Sequence, residues 1–75
     1  MVTAYVMVKA NTGEADRLLD QIADLDGVTD AHIVAGDVDI IAKLDVDAPA
    51  DVKETAANAI QDISGVEDTE TYISM

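Results

Sequence analysis

The 75-residue sequence has no cysteine, tryptophan or phenylalanine, a single proline and only four basic residues. Without cysteine there is no disulfide, and with His32 as the single histidine there is no Cys/His cluster to hold a metal. A chain this short buries only about 60% of its unfolded surface, so we expect one domain, residues 1–75, of marginal stability. Association with other copies is the stabilising device that remains.

Membrane-spanning and secretory signals are also missing. The chain begins Met1-Val2-Thr3 without a basic segment and an apolar run, and no apolar stretch approaches the roughly 20 residues that cross a bilayer. We therefore expect a cytoplasmic protein that does not contact membranes.

Positive charge is scarce and scattered. Sixteen acidic residues against four basic ones give a formal net charge of −12. The basic residues, which are Lys9, Arg17, Lys43 and Lys53, form no stripe, whereas nucleic-acid affinity requires clustered lysine and arginine. The charge therefore excludes direct binding of DNA or RNA by this chain.

The acidity does not indicate disorder, because 49% of the residues are apolar and disordered chains combine high charge with low hydrophobicity. Molar salt shortens the Debye length to about 3 Å and makes this self-repulsion tolerable. The composition is typical of a halophilic cytoplasm.

The first half reads as a strand, a helix and a strand. Apolar residues alternate from Val2 to Val8, which is the period of a strand with one buried face. Helical spacing follows, and Gly27 is a usual helix stop. The predicted buried stripe of this helix is Ala15, Leu18, Leu19, Ile22 and Ala23. The segment from Val28 to Val34 is extended again.

The second half repeats this order. Gly36-Asp37 is typical of a two-residue turn between antiparallel strands, with Val38 to Val46 as the partner strand. Asp47-Ala48-Pro49 supplies a cap candidate and an early proline for a second helix. Its predicted buried stripe is Val52, Ala56, Ala59, Ile60 and Ile63, and Val66 to Ile73 forms the last strand.

These elements predict an α+β fold of ferredoxin-like βαββαβ topology, with a four-stranded antiparallel sheet and two helices on one face. The helix–Gly–Val–strand junctions at Gly27 and Gly65 echo one another. The other sheet face is left uncovered, which favours a two-fold homodimer that assembles further. The residues expected on it are Tyr5, Met7, Ile41, Thr69, Thr71 and Ile73.

Catalytic constellations are absent. His32 lies on a strand with no cysteine or serine motif beside it, and no glycine-rich phosphate loop precedes a helix. The abundant carboxylates make chance pairs unavoidable, so spacing nominates no acid/base pair. We expect no enzyme, no metal and no cofactor.

One local pattern, Gly36-Asp37-Val38-Asp39, combines an open backbone with two carboxylates that point the same way in an extended chain. Exposed amides suit the carboxylate of an amino acid, and an aspartate suits its ammonium group. A solvated turn explains the same residues, and the pattern alone does not decide between the two interpretations.

Residues 34–39, followed by an aliphatic strand, resemble the hairpin of the effector-binding (RAM) domain of Lrp/AsnC transcription regulators. Gly65-Val66 followed by Thr69-x-Thr71 resembles that domain's last strand, and the resemblance runs over essentially all 75 residues. It implies sheet-to-sheet dimers, larger rings and an amino acid bound between dimers. It carries ligand contact onto Gly36, Asp37 and Asp39, and more weakly onto Thr69 and Thr71.

The family's helix-turn-helix domain is missing from these 75 residues, so we expect a stand-alone module that acts through full-length Lrp/AsnC partners. Two alternatives stay open. One is an oligomerisation module without a ligand, and the other is a small dimeric ferredoxin-like enzyme that uses a perturbed acid or His32.

The charge generates a first prediction. The thermal midpoint, followed by circular dichroism, should rise between dilute buffer and molar KCl because salt screens the repulsion among carboxylates. Greater stability in dilute buffer would contradict the halophilic interpretation.

Overall fold

The chain forms the βαββαβ order that the sequence predicts. Its elements are β1 (Val2–Ala10), α1 (Ala15–Ala23), β2 (Val28–Ile33), β3 (Ile40–Val46), α2 (Pro49–Lys53), a π-helical segment (Glu54–Ile60) and β4 (Val66–Ile73). The structure, a computed structural model, describes residues 1–56 and 58–75 with their side chains and residue 57 by its backbone. Within the described chain, no helix has the length and apolar character that a bilayer crossing requires.

The four strands form one antiparallel sheet in the order β2-β3-β1-β4. Together with the two helical regions on one face, this order confirms the predicted ferredoxin-like fold. The helices and the covered sheet face enclose the core, which consists of Ala4, Val6, Val8, Ala10, Leu18, Ile22, Ile40, Ala42, Leu44, Val52, Ala56 and Ile60. Ala23 was predicted in the buried stripe of α1 but is exposed, since it is the last residue of the helix.

The two junctions that echo each other in sequence also share their hydrogen bonds. The Val28 amide donates to the Leu25 carbonyl at 3.2 Å, and the Val66 amide donates to the Ile63 carbonyl at the same distance. The glycine before each valine has a positive φ, which is 90° at Gly27 and 104° at Gly65. The predicted repeat of two βαβ units is therefore present in the backbone.

The second helical region differs from the single helix that the sequence predicts. Ala48, not Asp47, is the residue before its first turn, and the Ala48 amide donates to Oδ2 of Asp51 at 3.2 Å. From Glu54 onward the helix is π-helical, a wider form with i→i+5 hydrogen bonds. The wider helix keeps Val52, Ala56 and Ile60, at spacings of four, on the buried side, while Ala59 and Ile63 are half-buried.

The predicted two-residue turn at Gly36-Asp37 is wrong. β2 ends at Ile33 and β3 begins at Ile40, so residues 34–39 form a longer loop. The turns that join strands through two residues require positive φ, and Gly36 does not adopt it. Val38 and Asp39 accordingly belong to the loop and not to β3.

The uncovered side of the sheet, called the open face below, also differs from the prediction at β4. Directly paired residues point to the same side, and Val8 pairs with Thr69, Val6 with Thr71 and Ala4 with Ile73. Thr69, Thr71 and Ile73 therefore lie on the helix side, contrary to the prediction. The open face includes Tyr5, Met7, Lys9, Asp30, His32, Ile41, Lys43, Asp68, Glu70 and Tyr72.

Gly65 generates a stability prediction. A Cβ built there would lie 2.6 Å from Nη2 of Arg17, which donates to the Ser64 carbonyl, and the backbone has φ of 104°. Gly65→Ala should lower the free energy of unfolding by about 1–2 kcal/mol or more, measured by urea denaturation.

Gly36→Ala is the matched control. Its Cβ would meet nothing within 4 Å, and its φ is not positive. The free energy of unfolding should change by less than about 0.5 kcal/mol or rise slightly. Equal losses in both variants would contradict this account of the junction.

Candidate ligand-binding site

The loop of residues 34–39 is closed onto the sheet by backbone hydrogen bonds at both ends. The Val34 amide donates to the Asp39 carbonyl at 2.9 Å, and the Asp39 amide donates to the Val8 carbonyl at 3.0 Å. Gly36 and Asp37 are exposed at the tip of this loop. The loop therefore has a fixed base on β1 and an accessible tip.

Asp39 fixes that base with its side chain as well. Its Oδ2 accepts a hydrogen bond from the Ala10 amide at 2.9 Å. The carboxylate thus continues the hydrogen bonding of β1 past Val8↔Ile40, the last pair that β1 makes with β3. Asp39 anchors the loop, whereas the carboxylate of Asp37 is the one that the loop presents.

A cavity of about 210 Å³ lies between this loop and the neighbouring strands β1 and β4. We call it the loop cavity, and the residues that line it are Met7, Lys9, Asp37, Val38, Asp68, Thr69 and Glu70. It brings together Asp37 and Thr69, two of the residues that the resemblance nominates. One ammonium group and three carboxylates line the same space, so both charges of an amino acid have an opposite charge available.

Thr71 lies apart from Asp37, in a second cavity on the helix side. We call this space the helix cleft; its volume is about 310 Å³, and it is lined by Pro49, Val52, Lys53, Ala56, Gln61, Thr69, Thr71 and Ile73. Thr69 lines both cavities, and its side chain lies on the helix side, where the hydroxyl accepts a hydrogen bond from Nε2 of Gln61 at 2.7 Å. Gly36 lines neither.

The sequence interpretation missed Lys9, the cationic residue of the loop cavity. The alternation from Val2 to Val8 places Lys9 on the open face at the end of β1, next to the paired Asp68. The face of β1 on which Lys9 lies could be predicted from this alternation. The position of the loop over β1 could not, because that position depends on the hydrogen bond between Asp39 and the Ala10 amide.

His32 is engaged on the strand where the sequence placed it. Its Nε2 lies 2.9 Å from Oδ2 of Asp30, two residues earlier on β2, and both side chains are more than half exposed. Among the residues described with side chains, no group of three His, Cys, Asp or Glu has the geometry of a metal site.

A further cavity, of about 350 Å³, lies elsewhere, between the start of α2 and the end of β3. Its lining contains five carboxylates, those of Asp26, Asp45, Asp47, Asp51 and Glu54, and no basic residue. Carboxylates without a cation favour water over an anionic or zwitterionic ligand, so size does not nominate this cavity.

Comparison with known sequences identifies relatives among regulators. An HTH-type transcriptional regulator of Pyrococcus furiosus is 31% identical over 75 residues, and one of Pyrococcus abyssi is 29% identical; each match covers 96% of this chain and 50% of the relative. The chain thus spans about half the length of these relatives.

Solved structures share the fold. A protein from Thermus thermophilus superposes with a TM-score of 0.96 at 27% identity, covering 100% of this chain and 94% of that one. AsnC of Escherichia coli gives 0.89 at 24% identity, covering 99% and 50%. A transcriptional regulator from Neisseria meningitidis, solved as its L-Met complex, gives 0.86 at 12% identity, covering 99% and 49%.

The family model for the Lrp/AsnC ligand binding domain matches residues 3–75, which is nearly the whole chain. The order of its elements, the sheet topology and the regulators among its relatives agree with that match. The chain belongs to the family of Lrp/AsnC ligand binding domains.

Proposed function

We propose that the chain senses an amino acid at the loop cavity and acts in transcription regulation as an oligomer, without catalysing a reaction. The observation that carries the proposal is the meeting of Asp37 and Thr69, which are 32 positions apart in sequence (69 − 37), at one cavity that also holds Lys9. Family membership supports ligand binding in general. The L-Met complex of the Neisseria regulator supports an amino acid as the ligand class.

The roles of the nominated residues follow from their positions. Lys9 pairs with the ligand carboxylate, and Asp37 pairs with its ammonium group. Gly36 leaves the loop backbone open to approach, and Thr69 lines the edge that the loop cavity shares with the helix cleft. Asp39 supports binding indirectly, because its carboxylate holds the loop to the Ala10 amide. Thr71 lies in the adjoining helix cleft, so it contacts only a ligand that is long enough to extend past Thr69.

Self-association through the open face completes the proposal. Tyr5 and Tyr72 pair directly across β1 and β4 and remain 38% and 52% exposed. A hydrogen bond from the Tyr72 hydroxyl to Glu70, together with the charge of that carboxylate, raises the pKa of Tyr72. A pair of aromatic rings beside Met7 and Ile41 is suited to a second copy of the same sheet face.

The proposed effect on transcription depends on partner proteins. The relatives are about twice as long and are HTH-type regulators, so co-assembly with full-length Lrp/AsnC proteins would connect ligand binding here to DNA binding there. The charge of −12 leaves no basic surface for DNA on this chain itself.

Ligand binding can be tested by a thermal-shift screen of the twenty amino acids in molar KCl. A ligand at 100 times its Kd stabilises the folded state by about 2.7 kcal/mol. We expect a selective shift that Asp37→Asn removes and that Asp20→Asn, an exposed aspartate on α1, retains.

No shift with any amino acid would favour the oligomerisation module without a ligand. A shift that Asp37→Asn leaves unchanged would place the ligand outside the loop cavity. Turnover that His32→Ala abolishes would instead support the enzyme alternative.

Assembly can be tested by multi-angle light scattering in molar KCl. The wild-type chain should elute as a dimer or larger, and Tyr5→Glu should shift it toward monomer because a charge on the open face opposes burial. Gln21→Glu adds the same charge at an exposed position of α1 and should leave the mass of the oligomer unchanged. A monomeric wild-type chain would refute association through this face.

A further inference from the structure

The helix cleft differs in charge from three other cavities of the described chain. Its lining contains no aspartate or glutamate, although the chain has sixteen acidic residues. The acidic cavity at α2 carries five carboxylates, the loop cavity three, and a small cavity beside Gln61 carries those of Glu67 and Asp68. Of these four cavities, the cleft is therefore the one in which an anion meets the least repulsion.

Lys53 gives the same cleft a positive charge. Lys53 is the last residue of α2 and is exposed, and within the described side chains no carboxylate lies within salt-bridge distance of its ammonium group. An ammonium group beside a cavity without carboxylates has its hydrogen-bonding capacity available for an anionic ligand.

The rest of the lining is mostly aliphatic. Val52 and Ala56 are 2% exposed and form its wall on the helix side, while Ile73 on β4 is 44% exposed and faces it from the sheet. Nε2 of Gln61 donates to the Thr69 hydroxyl, and the exposed Thr71 hydroxyl adds a donor to the lining. At about 310 Å³ the cleft is at the small end of the range for ligand pockets.

We propose that the helix cleft binds a short aliphatic monocarboxylate, with Lys53 and Thr71 on its carboxylate and its hydrocarbon chain against Val52, Ala56 and Ile73. An α-ammonium group on the ligand finds no opposite charge in the cleft, so a monocarboxylate binds there in preference to the corresponding amino acid. This site is separate from the loop cavity, where Asp37 and Lys9 offer both charges.

The test uses three ligands with a branched five-carbon or six-carbon skeleton on the full chain in molar KCl. 4-Methylpentanoate carries the carboxylate alone, leucine carries both charges, and 3-methylbutylamine carries the cation alone. Isothermal titration calorimetry should detect 4-methylpentanoate, and Lys53→Gln should weaken its binding about tenfold, the scale of one charge-assisted hydrogen bond. The amine should not bind at the cleft.

Three variants define the site. Lys53→Arg keeps the charge and should retain most of the affinity, whereas Gln21→Glu, which changes the net charge by the same unit as Lys53→Gln, should have no effect. Asp37→Asn should leave 4-methylpentanoate binding intact, which separates this site from the amino-acid site. Circular dichroism confirms that each variant is folded.

Several outcomes would overturn the proposal. These are the absence of 4-methylpentanoate binding, binding that Lys53→Gln and Gln21→Glu weaken equally, and binding that Asp37→Asn abolishes. Leucine binding as tight as that of 4-methylpentanoate, with the same dependence on Lys53, would show that the cleft does not discriminate against the ammonium group.

Discussion

The pairing of β1 with two neighbours is the constraint on which the rest of the structure depends. β1 is a central strand, and its alternating Ala4, Val6 and Val8 are fully buried beneath the helices. The same alternation turns Tyr5 and Met7 to the open face. Beyond the last pair between β1 and β3, the Asp39 carboxylate accepts a hydrogen bond from the Ala10 amide. This bond fixes the loop beside Lys9. Core, open face and loop cavity therefore share one strand.

The distribution of charge also distinguishes the cavities from one another. A charge of −12 on so small a chain makes most concave surfaces anionic, and the cavity at α2 has five carboxylates and no cation. Only where a lysine stands at a cavity does the surface become suitable for a carboxylate. Lys9 supplies the positive charge among acidic residues at the loop cavity, and Lys53 supplies it among mostly apolar residues at the helix cleft. In the proposed account, the few basic residues determine which cavities suit a carboxylate ligand.

Much of the fold was predictable because its signals are local. Alternation along β1, helical spacing in α1 and the glycines at the two junctions specify the element order, and Gly27 and Gly65 adopt the positive φ common after helices. The face of β4 was predicted wrongly although its alternation indicates the observed one, because Thr69, Thr71 and Ile73 are less polar as a set than Asp68, Glu70 and Tyr72 and so suit the helix side. Pairing with β1 establishes that placement. The Asp39 anchor and the π-helical segment likewise depend on tertiary contacts, so the sequence predicted the candidate residues but not which cavity each one lines.

The central claim is that a loop anchored through Asp39 holds one side of an amino-acid site. The most direct measurement is an NMR titration of the ¹⁵N-labelled chain in molar KCl with an equimolar mixture of the twenty amino acids. We expect chemical-shift changes concentrated in residues 34–39 and 68–70 and at Lys9. Changes confined to other regions, or none at saturating concentrations, would contradict the claim.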